Sequence, residues 1–272
     1  MKGGKSLTLL IDADVLRYLI AFTNTKSITW DEGEEAVVAI QPEKAKAELE
    51  DYVEEMVEKF GATDYVLALS CNDHNFRKDV DPTYKLARHK REKPALWYVL
   101  DDHMESTFGD KIVKRYGLEG DDILGLLASH PHPKRAPGDR IVVSIDKDLA
   151  TIPCRLYNPM KPDIGTRRIG IHDANLFWMK QTLMGDATDN YPGCPGIGGK
   201  RADAVLMPIH ERYIDAPHEF HLDALWAAVV KTYESKDLTA EDAIRQARLA
   251  RILRDGDYDY KNQKVNLWTP SS

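Results

Sequence analysis

The sequence predicts an α/β fold built on an open, mostly parallel sheet, and three observations carry that reading. Apolar runs rich in β-formers recur at Leu7–Ile11, Asp64–Ser70 and Arg140–Ile145, each the length of a buried strand. Helical patterns separate them, above all Pro42–Phe60 and Ile123–Ser129. Each strand then runs into acid, as Asp12-Ala13-Asp14, Cys71-Asn72-Asp73 and Asp146-Lys147-Asp148, at the end of the sheet where open α/β folds place their sites.

Taken in order, Leu7–Ile11 reads as a buried strand ending in acid. Pro42–Phe60 carries Ala45, Leu49, Tyr52, Val53, Met56, Val57 and Phe60 at helical spacing, with acids between them that form a solvated face. Asp64–Ser70 is the second strand. Leu118-Glu119-Gly120-Asp121-Asp122 opens the apolar helix Ile123–Ser129, and acids in a first turn suit the helix dipole, so capping competes with function there. His130–Gly138, rich in proline, is a surface loop. The third strand, Arg140–Ile145, leads to Asp146 and Asp148, whose i, i+2 spacing aims both the same way. Arg155–Ile171 reads as short strands around a turn at Pro162–Gly165. His172–Met184 is a helix with Trp178 in its core face, Thr239–Arg254 is a late helix over the core, and residues 255–272 receive no role. No internal repeat is present.

The densest signal is Gly185-Asp-Ala-Thr-Asp-Asn-Tyr-Pro-Gly-Cys-Pro-Gly-Ile-Gly-Gly-Lys-Arg201. Asp186 and Asp189 lie three apart, on one face of a helical turn. Behind them Gly193, Gly196, Gly198 and Gly199 form a turn that lets backbone approach another molecule. Lys200 and Arg201 open a helix whose first N–H groups favour phosphate. A P-loop is excluded, because its first glycine would be Cys194 and its Ser/Thr would be Arg201; Arg201 also breaks the dinucleotide fingerprint. The plainer alternative is a helix–turn–helix corner closed by glycine.

Nine carboxylates form the candidate site: Asp12, Asp73, Glu119, Asp121, Asp122, Asp146, Asp148, Asp186 and Asp189. Gathered in one cleft they repel one another and raise their own pKa values. All-oxygen ligands select hard cations, Mg²⁺ or Mn²⁺. Zinc is disfavoured, since Cys71, Cys154 and Cys194 are scattered. The basic counterpart is Phe76–Tyr98, where Arg77, Lys78, Lys85, Arg88, Lys90, Arg91 and Lys93 are interleaved with Phe76, Tyr84, Trp97 and Tyr98. Cations track phosphates and aromatic faces stack bases. A solvated basic loop is the plainer reading of Lys90–Lys93, whereas Tyr84, Lys85 and Arg88 follow closely on Asp73.

Composition is compatible. With 272 residues, 43% of them apolar, the chain can bury a full α/β core. No signal peptide or apolar 18-mer is visible, which leads to the expectation of a cytoplasmic protein without a membrane partner. The net charge of −7 is unusual for a nucleic-acid binder, but without the nine site carboxylates the balance turns positive.

Ile11-Asp-Ala-Asp14, Asp73 with Phe76-Arg-Lys78 and Tyr84-Lys-x-x-Arg88, Glu119-Gly-Asp-Asp122, Ser144-Ile-Asp-Lys-Asp148 and the glycine-rich segment resemble, in this order, the flap-endonuclease superfamily of structure-specific 5′ nucleases. The wording at Val80–Lys85 and Gln246–Arg254 is similar to the 5′→3′ exonucleases of short-tailed phages. The resemblance runs from about Leu9 to Arg254 and implies a PIN-like core (residues 1–184) with a twisted central sheet and a helical arch segment (74–98). A helix-three-turn-helix region (185–272) follows. It further implies that the nine acids bind two metal ions and that Lys85 and Arg88 contact the scissile phosphate. Arg77, Lys78, Tyr84, Lys90, Gly196, Gly198, Lys200 and Arg201 are placed on DNA, with K⁺ at the glycine-rich turn. The substrates implied are double-stranded or branched DNA, with RNA of RNA–DNA hybrids as a further substrate. A PIN-type ribonuclease and a non-catalytic DNA-binding module are the alternatives. Asp14 is an extra acid outside the motif, and the arch segment is short and broken by Pro82 and Pro94.

Overall fold

The computed structural model describes residues 6–28, 37–86 and 93–271. Its centre is a six-stranded sheet in the order β5-β4-β1-β6-β7-β8. The strands are β1 (Leu7–Asp12), β4 (Asp64–Ala68), β5 (Ile112–Val113), β6 (Asp139–Val143), β7 (Cys154–Tyr157) and β8 (Thr166–Ile169). All neighbours pair in parallel except β7 and β8. Two antiparallel strand pairs lie outside this sheet, β2–β3 (Thr25–Ile28, Val37–Ile40) and β9–β10 (Tyr258–Asp259, Lys264–Val265).

β1 is central and buried on both faces, which explains its unbroken apolar run. On one face Leu9 and Ile11 pack under α1 (Ala13–Thr23), α2 (Pro42–Phe60) and α4 (Trp97–Phe108), with the short α3 (Arg77–Val80) between the last two in sequence. On the other, Leu10, Val66 and Val142 pack under α5 (Gly120–Ser129). Helix α2 has the expected bounds: Pro42 opens it, Ala45, Leu49, Val53 and Met56 form its buried stripe, and Gly61 closes it at φ 58°. Burying each such large side chain is worth roughly 1.5–3 kcal/mol.

A third core joins α6 (Ile171–Met184), α7 (Gly199–Tyr213), α8 (His218–Glu234) and α9 (Ala240–Ala250) around Trp178, Leu206, Leu225 and Tyr233. Trp178 is fully buried and donates its indole N–H to the Ala247 carbonyl. The late helix ends four residues before the expected Arg254. Residues 251–254 leave it to run along α5: the Leu253 N–H donates to Asp122, and Arg254 donates to Asn175 and to the Thr151 carbonyl. Gly125 of α5 leaves the room, since a Cβ there would lie 2.2 Å from the Leu253 carbonyl oxygen.

From β1 the chain moves outward to β4 and β5, then returns to β6 on the other side of β1. The carboxyl ends of β1 and β6 therefore flank the crevice where the winding reverses, the usual place for a site in such a sheet.

Candidate active site

Asp12 ends β1 and caps α1, accepting from the Val15 N–H at 3.1 Å. Its other oxygen accepts from the Ser144 hydroxyl at 2.6 Å, across the crevice between β1 and β6. Ser144 in turn accepts from the Asp146 N–H at 3.0 Å, and Asp146 caps the following 3₁₀ turn by accepting from the Asp148 N–H at 2.8 Å. One serine thus sets the spacing of the two strand-end acid groups. Burial, with Asp14 and Asp146 adding to it, pushes the Asp12 carboxyl up to about 7.

The Glu119–Asp122 segment serves two purposes. Gly120 starts α5 where a side chain cannot fit: a Cβ would lie 2.9 Å from an Asp14 oxygen and 3.2 Å from the Ala68 carbonyl oxygen. Asp121 faces the cleft, and burial plus Asp12, Asp146 and Glu119 drives its pKa well above the usual carboxylate range. Glu119 has the opposite character. Burial opposes its charge, but Lys85 and Arg77 outweigh it and hold the carboxyl at about 2. Asp122 is fully buried behind the cleft, gripped in bidentate fashion by Arg77 at 2.7 and 2.8 Å and by the Glu119 and Leu253 N–H groups.

Lys85 is the cation at the centre. Its ammonium pairs with Glu119 and lies 3.5 Å from an Asp189 oxygen. Tyr84, buried beside it, donates its hydroxyl toward the same two carboxylates at 3.0 Å each. On the far side Asp148 accepts from the Gln181 amide at 2.6 Å; burial, then Asp146, Asp186 and Asp189, push it up to about 7. The main chain of Asp186 pairs with that of Tyr191 at 2.8 and 3.1 Å, and its carboxylate accepts from the Thr188 N–H at 2.6 Å. Gly185 and Gly193 close this turn back to back, as a Cβ on Gly193 would lie 2.3 Å from the Gly185 nitrogen.

Two hollows result. A cleft of about 590 Å³ is lined by Asp12, Asp73, Glu119, Asp121 and Asp146, with Lys78 and Lys93 on its wall. A smaller one, about 30 Å³, is lined by Asp148, Gln181 and Asp189, and Glu119, Asp121 and Lys85 border both. Among the described residues, no three acids, histidines or cysteines already close around one point as a finished metal site. Asp73 stands exposed on the rim. Asp14 is tied to Arg17 at 2.8 Å and to the Ser70 N–H at 2.8 Å, a structural position.

The expected DNA contacts divide. Lys200, Arg201, Gly196 and Gly198 are exposed at the start of α7, with Arg201 donating to the Gly196 carbonyl at 2.6 Å. Gly196 has φ 75° and Gly198 caps α7. Arg77 and Tyr84, expected on nucleic acid, are instead buried at 3% exposure, where they hold acids of the site in place. Arg88 and Lys90 lie outside the described residues. Ser144 and Gln181 were not singled out from sequence; Ser144 falls inside a motif, whereas nothing marks Gln181.

No family model matches the chain. The exonuclease of Escherichia phage T7 is 30% identical over 252 residues, 84% of this chain and 82% of that protein. The exodeoxyribonuclease of Enterobacteria phage T3 is 30% identical over 226 residues, 73% of this chain and 71% of that protein. The fold is shared with the bacteriophage T5 flap endonuclease in a pseudo-enzyme–product complex with DNA and metal ions, at TM-score 0.55 and 15% identity over 90% of this chain and 99% of that one. Identity on this scale across most of both phage proteins makes the chain a member of the family of these phage exonucleases, on the fold that the T5 flap endonuclease shares.

Proposed function

We propose that the protein hydrolyses phosphodiester bonds of duplex or branched DNA in the 5′→3′ direction, with divalent metal ions as cofactors. The observation that carries this is the convergence of Asp12, Glu119, Asp121, Asp146, Asp148 and Asp189, from separate segments, on two adjoining hollows with Lys85 between them. The donors are all oxygen, and burial and mutual repulsion raise Asp12, Asp121 and Asp148 together. Such a set suits a hard divalent cation.

Asp12, Asp73, Asp121 and Asp146 would hold one ion, and Asp148, Asp186 and Asp189 a second, with Glu119 between them. Bound Mg²⁺ or Mn²⁺ supplies Lewis acidity at the phosphoryl oxygens and lowers the pKa of the attacking water. The protein's own groups do the rest. Lys85 offers its ammonium to charge developing on the phosphoryl group, a preorganised electrostatic role. Tyr84 and Arg77 keep Glu119 ionised and fixed. Asp122 positions Arg77 rather than an ion. The exposed N-terminus of α7, with Lys200, Arg201, Gly196 and Gly198, grips phosphates of the duplex, and carbonyls of the Gly193–Gly199 turn would hold a K⁺ ion. Residues 185–272 form the duplex-holding half of a helix-three-turn-helix type, residues 1–184 the nuclease half. RNA of a hybrid presents the same phosphodiester and belongs to the same substrate class.

The test is a linear duplex labelled at the 5′ end of one strand, run beside one labelled at its 3′ end, in Mg²⁺. Early release of short fragments from the 5′ label, with the 3′ label kept in long products, is expected. The reverse order would overturn the reading.

A further inference from the structure

At the opposite end of the sheet from the acids lies a second cleft, of about 470 Å³, lined by Arg140, Arg155 and Arg168. Arg140 pairs in register with Thr8, four residues before Asp12, so the two ends are separated by about 13 Å of strand. Three cations face a single lining carboxylate, Asp139. Among the described residues, none of the three guanidiniums lies within ion-pair distance of a carboxylate, and Asp139 acts on Arg140 only at longer range.

Two features make this more than a solvated basic edge. Arg155 and Arg168 are direct cross-strand partners on β7 and β8, where like charges facing one another destabilise the pair. Arg140 is half-buried on the same wall, and burial works against its charge with Asp139 opposing only in part. Desolvating a cation disfavours its charged form. An anion in the cleft offsets both effects. Planar guanidiniums match phosphate oxygens in bidentate geometry. The start of α6, whose cap Gly170 offers no side-chain acceptor, forms part of the wall.

We propose that this cleft binds a small phosphate-bearing anion, an inorganic oligophosphate or the phosphate chain of a nucleotide. Among the described residues no aromatic ring lines it, so nothing there stacks a base, and recognition rests on the phosphates. Its place at the amino ends of the strands sets it apart from the strand held at the acidic cleft.

The experiment is calorimetric titration of the metal-free protein in EDTA with inorganic pyrophosphate. We expect saturable one-to-one binding, weakened at least tenfold in the Arg155→Gln/Arg168→Gln double variant and in Arg140→Gln. Circular dichroism melts establish that each variant folds, and the exposed pair Arg155 and Arg168 provides the variant least able to disturb the core. A parallel titration with deoxyadenosine triphosphate identifies the source: affinity matching or exceeding pyrophosphate assigns the cleft to a nucleotide, and weaker affinity assigns it to the inorganic ion. Absence of saturable binding, undiminished binding in the double variant, or displacement of pyrophosphate by saturating duplex DNA would each overturn the proposal.

Discussion

The main-chain N–H of Lys85 donates to the Asp189 carbonyl at 2.8 Å, while its ammonium lies 3.5 Å from the carboxylate of the same residue. Lys85 adopts a left-handed φ of 55° and Asn190 one of 61°, and the Asn190 amide donates to the Thr83 carbonyl at 2.8 Å. Two strained turns far apart in sequence are therefore docked on each other. Left-handed backbone at a non-glycine residue costs about 1–3 kcal/mol and persists where surrounding contacts fix it. Here the contacts tie the basic segment after Asp73 to the turn that carries the last acids.

The roles proposed for Lys85 and Lys200 separate chemistry from grip. Lys85→Ala should lower the single-turnover cleavage rate by about 100-fold or more, the scale of one lost electrostatic stabiliser, and weaken duplex affinity far less. Lys200→Ala, at an exposed position on α7, should do the reverse and reduce the salt slope of binding by about one unit. Rapid-quench kinetics and fluorescence anisotropy in Ca²⁺ measure the two. Equal effects of both substitutions on rate and affinity would remove the division of roles.

Asp121 and Asp122 are adjacent, yet their substitution should produce opposite phenotypes. Asp121→Asn relieves a buried carboxylate crowded by Asp12 and Asp146. It should abolish cleavage while leaving thermal stability equal or higher. Asp122→Asn strips a fully buried Arg77 of its bidentate partner, and breaking such a pair costs about 3–5 kcal/mol. Its urea midpoint should fall sharply. Asp146→Asn and Asp148→Asn should follow Asp121→Asn, losing turnover with DNA binding in Ca²⁺ kept. A folded, active Asp122→Asn protein would contradict the structural role.

The same pair marks where sequence reasoning stops. Acids at the ends of apolar runs were legible because strand ends converge on one edge of a parallel sheet whatever the loops do. Which of two neighbouring acids turns inward was not, because the answer is a guanidinium 45 positions earlier in the chain. Arg77 and Tyr84 look like a phosphate contact and a base-stacking ring when read locally; only the packing of α9 and α5 against them makes them internal. Helix α2 was readable to its ends from Pro42, the apolar stripe and Gly61. The late helix was not, since tertiary hydrogen bonds to Asp122, Asn175 and Thr151 draw residues 251–254 out of helical geometry. Trp268, in the segment that received no role, closes the third core edge-on against Trp178 and Trp226.

Metal should stabilise the protein in a pH-dependent way. Asp12 and Asp148 rise from 3.8 to about 7 in the folded chain. A carboxyl with a raised folded pKa favours folding while protonated, so in EDTA these groups lose stability for the fold as pH climbs from about 4 to 7. Cation binding requires the deprotonated forms and offsets their repulsion. Adding Mg²⁺ at roughly ten times its dissociation constant should contribute about 1.4 kcal/mol per ion, a shift of a few degrees. The melting shift should be larger at pH 8 than at pH 5.5. Differential scanning fluorimetry against matched ionic strength decides, and a shift absent at both pH values would count against the metal assignment.

A second pH effect arises far from the acids, where α6, α7 and α8 meet. His221 is fully buried, its ring 4.7 Å from that of His172 and 5.2 Å from that of His210. Its Nε2 shares a 3.0 Å hydrogen bond with His210 Nδ1, and its own Nδ1 is buried without a partner. Burial, with His172 and His210 adding to it and Asp173 opposing, lowers its pKa from 6.5 to about 4. The folded chain therefore holds His221 neutral while the unfolded chain protonates it near 6.5. Stability contributed this way is complete above pH 6.5, declines as pH falls, and is gone below about 4, with a total on the order of 3 kcal/mol. Urea unfolding followed by tryptophan fluorescence should show the decline between pH 6.5 and 4. His221→Gln, which cannot take the proton, should be less stable at pH 7.5 and should flatten the pH dependence over that window. A variant whose pH profile parallels the parent would place the titration on other groups.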